Sequence, residues 1–168
     1  MDEELSGSAM IEAIEASGIE YVPALPDITT VEGLLKPLRT RRRPRLLQIC
    51  KEDEGVAICA GLAYTGRRAL LLMQSTGLLD SLNAIRAVAC EYAQPVCMMV
   101  GLIGREPRLP PAASASFGVR IIEPILQTMG VRHLLIDTTR DVSRIQPAIE
   151  EAYARSQPLA LLIGRPPW

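Results

Sequence analysis

Aromatic rings, histidines, long apolar runs and a surplus of either charge are what this sequence lacks. Six of its 168 residues are aromatic, one Phe, one Trp and four Tyr. The core must therefore be built from Leu, Ile, Val, Ala and Met, and nucleic-acid bases would find few rings to stack on. Eighteen Lys and Arg stand against nineteen Asp and Glu, a formal charge of −1, which excludes the electrostatic footprint of a chain that grips nucleic acid or an anionic membrane. The four cysteines, Cys50, Cys59, Cys90 and Cys97, include no CxxC pair, so zinc spacing and a disulfide framework are both unsupported. Each thiol lies in an apolar or Ala-rich run and reads as a small buried hydrophobe. The longest apolar stretches are about nine residues, too short to span a bilayer, and the acidic start Met1-Asp2-Glu3-Glu4 lacks the basic and apolar regions of a signal peptide. The expectation is a soluble cytoplasmic protein with small-molecule or protein partners, acting on neither nucleic acid nor membrane.

What is there is a regular alternation. Apolar residues make up 48% of the chain; at this length it should bury roughly 70% of the surface its unfolded form exposes, as one domain over residues 1–168. Helical spacing over 8–16 gives way at Ser17-Gly18 to a strand at 19–22. The same rhythm predicts helices over 30–38, 52–64, 75–90, 119–129 and 141–156, and strands over 46–50, 69–73, 96–102, 132–136 and 159–163, with a Pro-rich loop at 107–115. Three strands are unbroken apolar runs, Leu70-Leu71-Leu72-Met73, Val96-Cys97-Met98-Met99-Val100 and Leu159-Ala160-Leu161-Leu162-Ile163, as strands buried on both faces should be. The fold class is therefore α/β: a doubly wound, mainly parallel six-stranded sheet with helices on both faces. Ligands of such sheets bind beyond the carboxyl ends of the strands, here the turns at 25–29, 50–54, 74–80 and 101–108.

Those turns carry the candidate residues. Glu52-Asp53-Glu54 opens a helix, where the helix dipole alone favours acids, but Gly55, Ala57, Cys59, Ala60, Gly61 and Ala63 then make that helix almost entirely of small residues. Two glycines are expensive in a helix, so something is expected to pack closely on it. The turn Gln74-Ser75-Thr76-Gly77-Leu78-Leu79 leaves a buried strand and starts a helix, with no GxGxxG or GxxxxGK fingerprint; it reads as an N-cap or as a ligand-facing turn. The single histidine, His133, begins an apolar strand and reads as structural, since no GxSxG elbow supports a triad. The run Arg39, Arg41, Arg42, Arg43 and Arg45, interrupted by Pro44, reads as a solvated connector, with a partner-docking surface as the alternative.

The stretch from Lys51 to Gly66, with Leu-Leu-Leu-Met-Gln-Ser-Thr-Gly-Leu at 70–78, Ser-Leu-Asn-Ala at 81–84 and Leu25-Pro26-Asp27 upstream, resembles the pyrimidine-binding domain of thiamine diphosphate-dependent decarboxylases. Within that family it is most like the alpha subunit of sulfopyruvate decarboxylase and the equivalent half of phosphonopyruvate decarboxylase. The likeness covers roughly residues 8–165. It implies that Glu52 meets the pyrimidine ring of the cofactor, where a carboxyl group sharing a proton with a ring nitrogen tunes the aminopyrimidine as a base. It also implies that Gln74, Ser75 and Thr76 contact the cofactor, and that Pro26, Asp27 and Ser75 line the substrate side of the cleft.

The family's magnesium and diphosphate site carries Gly-Asp-Gly, yet none of the six aspartates here is followed by glycine. The resemblance therefore implies a beta subunit that carries the diphosphate-binding domain and the magnesium ligands, in a hetero-oligomer acting on a small 2-oxo acid. Two departures bear on the substrate. Leu79-Asp80 stands where the family continues with Gly-Asn, and the loop after Gly104 has no histidine, leaving Arg105 and Arg108 as possible anion forks. Sulfopyruvate or phosphonopyruvate is the expected substrate. The alternatives are decarboxylation or carboligation of an uncharged 2-oxo acid, and a non-catalytic scaffold or regulatory subunit.

Overall fold

A computed structural model describes residues 4–168; the first three residues of the acidic start lie outside them. Helix α1 (Gly7–Ala16) is capped by Ser6, whose hydroxyl accepts the Ala9 N–H at 3.2 Å, and leads into β1 (Tyr21–Ala24). A π-wound segment (Val31–Leu35) runs into the short α2 (Lys36–Arg39) and returns as β2 (Arg45–Gln48). Helix α3 (Glu52–Tyr64), β3 (Leu70–Gln74), α4 (Ser75–Asp80) and α5 (Leu82–Ala84) follow, the last continuing as a π-wound segment (Ile85–Glu91). Then come β4 (Cys97–Gly101), α6 (Phe117–Thr128), β5 (Arg132–Ile136), α7 (Ile145–Arg155) and β6 (Leu159–Ile163).

All six strands are parallel, in the order β2-β1-β3-β4-β6-β5, which is the expected doubly wound arrangement. The unbroken apolar runs are explained residue by residue. Leu70, Leu72, Cys97, Met99, Leu159, Leu161 and Ile163 enter one core with α1, α2 and α7. Their neighbours Leu71, Met73, Met98, Val100, Ala160 and Leu162 enter a second core with α3, α4 and α6. Alternate side chains of a strand point to opposite faces, so a strand covered twice needs an apolar residue at every position.

Among the boundaries that differ from the sequence reading, three have a local physical reason. Strand β1 continues through Pro23, two residues past the expected end. The cost falls on its neighbour, because the missing N–H of Pro23 reduces the β1–β3 ladder to Ala24↔Leu72 and an isolated bridge, Tyr21↔Ala69. The single helix expected over 75–90 breaks at Ser81, whose φ of −94° and ψ of 3° leave the helical region, and its last turns are π-wound. Cys50 is exposed just beyond β2, unlike Cys59 and Cys97, which are buried; desolvation pushes the Cys59 thiol up to about 12. Among the described residues no helix is long and apolar enough to cross a membrane.

The connections leave β1 and β3 for opposite faces, which opens a crevice at the carboxyl end of the sheet between them. A second divergence lies between β4 and β6: the chain after β6 turns back along α1, where Trp168 donates to the Leu5 carbonyl and the Gly7 N–H donates to the Trp168 carbonyl. Here backbones meet with no side chain between them. A Cβ on Gly7 would lie 2.3 Å from the Gly33 carbonyl oxygen, and one on Gly33 would lie 2.2 Å from that of Pro167. By contrast, a Cβ on Gly61, on the outer side of α3, would meet nothing within 4 Å. Gly33→Ala should therefore cost about 1–3 kcal/mol or more, since backbone cannot yield as a side-chain tip can. Gly61→Ala should stabilise the isolated chain by up to about 1 kcal/mol through helix propensity. Urea unfolding of both variants checks the pair, and equal effects would contradict this packing.

Candidate functional site

The three acids that open α3 have separate fates. Asp53 accepts the Glu54 N–H at 2.9 Å and lies 3.6 Å from the Lys51 ammonium, while Glu54 accepts the Cys50 N–H at 3.1 Å. Both tie down a helix start whose N-cap, Lys51, supplies no side-chain cap. The half-buried Glu52 takes no part in this: its carboxyl accepts no hydrogen bond from the described residues. It lies instead against the first turn of α4. A Cβ on Gly77 would come within 2.3 Å of its Oε1 and 2.4 Å of its Cδ, so the carboxyl occupies the space a side chain at 77 would fill. Gly55 has the complementary task of letting α3 close on the sheet, because a Cβ there would meet Leu71 Cδ1 at 2.4 Å and Ile49 Cδ1 at 2.7 Å.

Across the crevice, Asp27 repeats the arrangement. Its carboxyl accepts the Thr29 N–H at 3.0 Å, the Thr30 N–H at 3.2 Å and the Thr30 hydroxyl at 2.8 Å. It rests on the bare backbone of Gly101 at the end of β4, where a Cβ would lie 2.2 Å from Oδ2. The residue is 2% exposed, and burial pushes its carboxyl above the usual range against the pull of those hydrogen bonds. Gly101 pairs with Gln74 across β3 and β4. The structure thus brings Asp27, Glu52 and the turn Gln74-Ser75-Thr76 to the same sheet end, with Gln74 half-buried, Ser75 buried, and Thr76 and Pro26 exposed. Leu79 packs toward the second core and Asp80 faces out.

The loop arginines lie elsewhere. The Arg105 side chain is 2% exposed and its guanidinium is committed within the chain: it donates to Asp137 at 2.8 and 3.3 Å, to the Gly164 carbonyl at 2.7 Å and to the Leu109 carbonyl at 2.9 Å. Arg165 adds a second pair to Asp137 at 3.2 Å. Burial would raise the Asp137 carboxyl, but hydrogen bonds and charge from Arg165 and Arg105 outweigh it and hold the group below its usual value of 3.8. The fork that sequence reasoning offers to an anion thus closes the second divergence, tying the loop after β4 to the ends of β5 and β6. Arg108 is exposed on the same loop. His133 stands in edge strand β5, Nδ1 3.1 Å from the Val131 carbonyl oxygen. Sequence reasoning missed Gly77 and Gly101 as the seats of the two acids; each follows or ends a buried strand, which is the available signal.

Fold and site together define a class: a doubly wound α/β protein that presents a carboxyl group, free of hydrogen bonds from the described residues, on a glycine at a topological switch point. No protein-family model matches the chain. Sequence comparison finds relatives. Sulfopyruvate decarboxylase of Methanosarcina acetivorans is 28% identical over 164 residues, 95% of this chain and 40% of that protein. Sulfopyruvate decarboxylase subunit alpha of Methanocaldococcus jannaschii is 26% identical over 161 residues, 95% of this chain and 94% of that subunit. The same subunit of Methanococcus maripaludis is 30% identical over 95 residues, 56% of each chain. The chain therefore spans two fifths of the Methanosarcina protein, just over half of the Methanococcus subunit and nearly all of the Methanocaldococcus subunit. These similarities bear out the resemblance to sulfopyruvate decarboxylase alpha subunits carried by residues 25–27, 51–66, 70–78 and 81–84.

Two outcomes follow from this geometry. Gly77→Ala should lower stability by roughly 1–3 kcal/mol, and the loss should vanish once Glu52→Ala has cleared the space; a thermodynamic cycle on the two substitutions measures that coupling, and additive effects would mean the contact is not made. Arg105→Met should cost on the order of 3 kcal/mol by leaving the half-buried Asp137 with one partner. Asp137 is depressed in the fold, so its contribution is present above the unfolded value and lost as pH falls through the folded one. Thermal unfolding below pH 4 should show the parent losing stability more steeply than Arg105→Met.

Proposed function

We propose that this chain is the pyrimidine-binding subunit, residues 1–168, of a cytoplasmic thiamine diphosphate-dependent decarboxylase of sulfopyruvate. The observation that carries the reading is the Glu52 carboxyl seated on Gly77, half-buried and unspent on internal hydrogen bonds, in a chain similar along 95% of its length to sulfopyruvate decarboxylases. The residues fit the cofactor. Glu52 would hold a proton at a carboxyl oxygen toward a ring nitrogen, and Gln74 and Thr76 offer polar groups beside it. Thiamine diphosphate supplies the electron sink that lets carbon dioxide leave a 2-oxo acid. The carboxyl's task is to set the charge on the aminopyrimidine, a job for a group in a partly desolvated cleft.

The magnesium and diphosphate ligands belong to a beta subunit, in keeping with the absence of Asp-Gly from this sequence and with a Methanosarcina relative that extends well beyond the match. The outer face of α3 supports such a partner: Ala57 is exposed, Gly61 is bare, and Tyr64 is 86% exposed. Substrate contacts fall to Pro26 and Ser75, with Asp27 shaping the wall behind them. With Arg105 committed to Asp137, the donors for a sulfonate tail come from Ser75 and from the partner's side of the cleft. A phosphonate tail is the nearest chemical alternative.

The test is carbon dioxide release by the chain purified with the partner that carries Gly-Asp-Gly, supplied with sulfopyruvate, phosphonopyruvate and pyruvate in turn. Sulfopyruvate should be preferred, and Glu52→Gln should lower turnover at least about tenfold to a hundredfold while assembly persists. Turnover of none of the three acids would sink the decarboxylase reading. Undiminished turnover by the Gln variant would remove Glu52 from its role.

A further inference from the structure

We infer that the open edge of β2 is a docking site for an extended acidic segment of a partner polypeptide, at the sheet edge rather than in the cleft at its carboxyl end. β2 is the last strand on its side of the sheet. Its pairing with β1 sets which backbone groups are spent: the Arg45 N–H donates to the Glu20 carbonyl at 2.8 Å and the Ile49 N–H to that of Ala24 at 3.3 Å. By strand alternation the N–H and C=O of Leu46 and Gln48 face away from β1, the pattern an added strand would complete.

Beside this edge lies a cleft of about 590 Å³ lined by Leu38, Leu46 and Leu47 and by Arg39, Arg41, Arg42 and Arg45. Arg41 is paired with Glu15 at 2.6 Å. Arg39, Arg42 and Arg45 are exposed and make no ion pair or hydrogen bond among the described residues. The nearby carboxylates do not neutralise them, because Glu15 is held by Arg41 and Glu20 by Arg67.

Charge on an edge strand ordinarily prevents indiscriminate pairing. Three unneutralised guanidinium groups beside free backbone groups do more than repel: they favour a strand whose own side chains are carboxylates, and the leucines among them favour one that alternates carboxylates with apolar residues. A polyphosphate or nucleic acid would use the charge but neither the leucines nor the backbone edge. The chain carries no net positive charge to support such a ligand.

The probe is a synthetic hexapeptide alternating Glu and Val, titrated by calorimetry into the full chain at low ionic strength. Saturable binding is expected, weakened at least tenfold by R39E/R42E/R45E, whose exposed positions leave the fold intact by circular dichroism. The same peptide N-methylated at alternate residues keeps its charge but cannot extend the sheet, and it should bind at least tenfold more weakly. Absence of peptide binding, binding indifferent to charge reversal, or equal binding of the N-methylated peptide would each overturn the proposal. Tighter binding of single-stranded DNA or tripolyphosphate than of the peptide would overturn it in favour of a polyanion.

Discussion

A side chain at position 77 and the carboxyl of Glu52 cannot share the same space, and the site depends on how that conflict is resolved. Gly77 yields the space. The carboxyl can then lie over the first turn of α4 without competing for internal donors, while Asp53 and Glu54 look after the helix start. This requires α3 to approach the sheet closely, which Gly55 permits by its lack of a side chain against Leu71 and Ile49. The helix pays in propensity for that approach, and the second core, filled from α3, α4 and α6, holds the geometry against the loss.

Asp27 and Glu52 show how similar seats can yield different chemistry. Both carboxyls rest on glycine backbone at the carboxyl end of the sheet. Asp27 is enclosed, hydrogen-bonded by its own loop, and pushed by burial toward the protonated form. Glu52 is half-exposed and has its bonding capacity in hand. A group already satisfied by its own chain shapes a cleft; a group left unsatisfied at the same end of the sheet is available to a ligand.

Much of this was legible in the sequence because a two-faced sheet writes itself plainly: Leu70 to Met73 and Leu159 to Ile163 leave no polar face for solvent. The bounds of α3 and β5 could be read to the residue, since Tyr64 is followed by Thr-Gly and Met129 by Gly130. What escaped were features set by partners distant in sequence. The continuation of β1 through Pro23 is tolerated by the neighbouring strand, and the break at Ser81 concerns how one helix packs on another. Arg105 reads locally as a free cation on a polar loop, and only its meeting with Asp137, thirty-two positions away, reveals a structural tie. Cys50 shares its apolar surroundings in sequence with its buried counterparts but falls two residues past the end of β2.

The arginines make the same point about environment in a form that bears on assembly. Arg105 is desolvated, and a desolvated guanidinium must spend its donors on its own chain. Arg39, Arg42 and Arg45 remain hydrated and keep theirs, so their pairing energy inside the monomer is close to nothing. The chain thus holds its unspent interactions at separate places: the Glu52 carboxyl at the carboxyl end of the sheet, the bare outer face of α3 beside it, and the charged edge of β2. Helix α3 starts where β2 ends, with only Ile49, Cys50 and Lys51 between them, so a polypeptide covering α3 and closing over Glu52 would lie one strand end from the β2 edge. A partner large enough to supply the second wall of the cleft would have both surfaces within its span, and neither surface competes with the core for the same atoms.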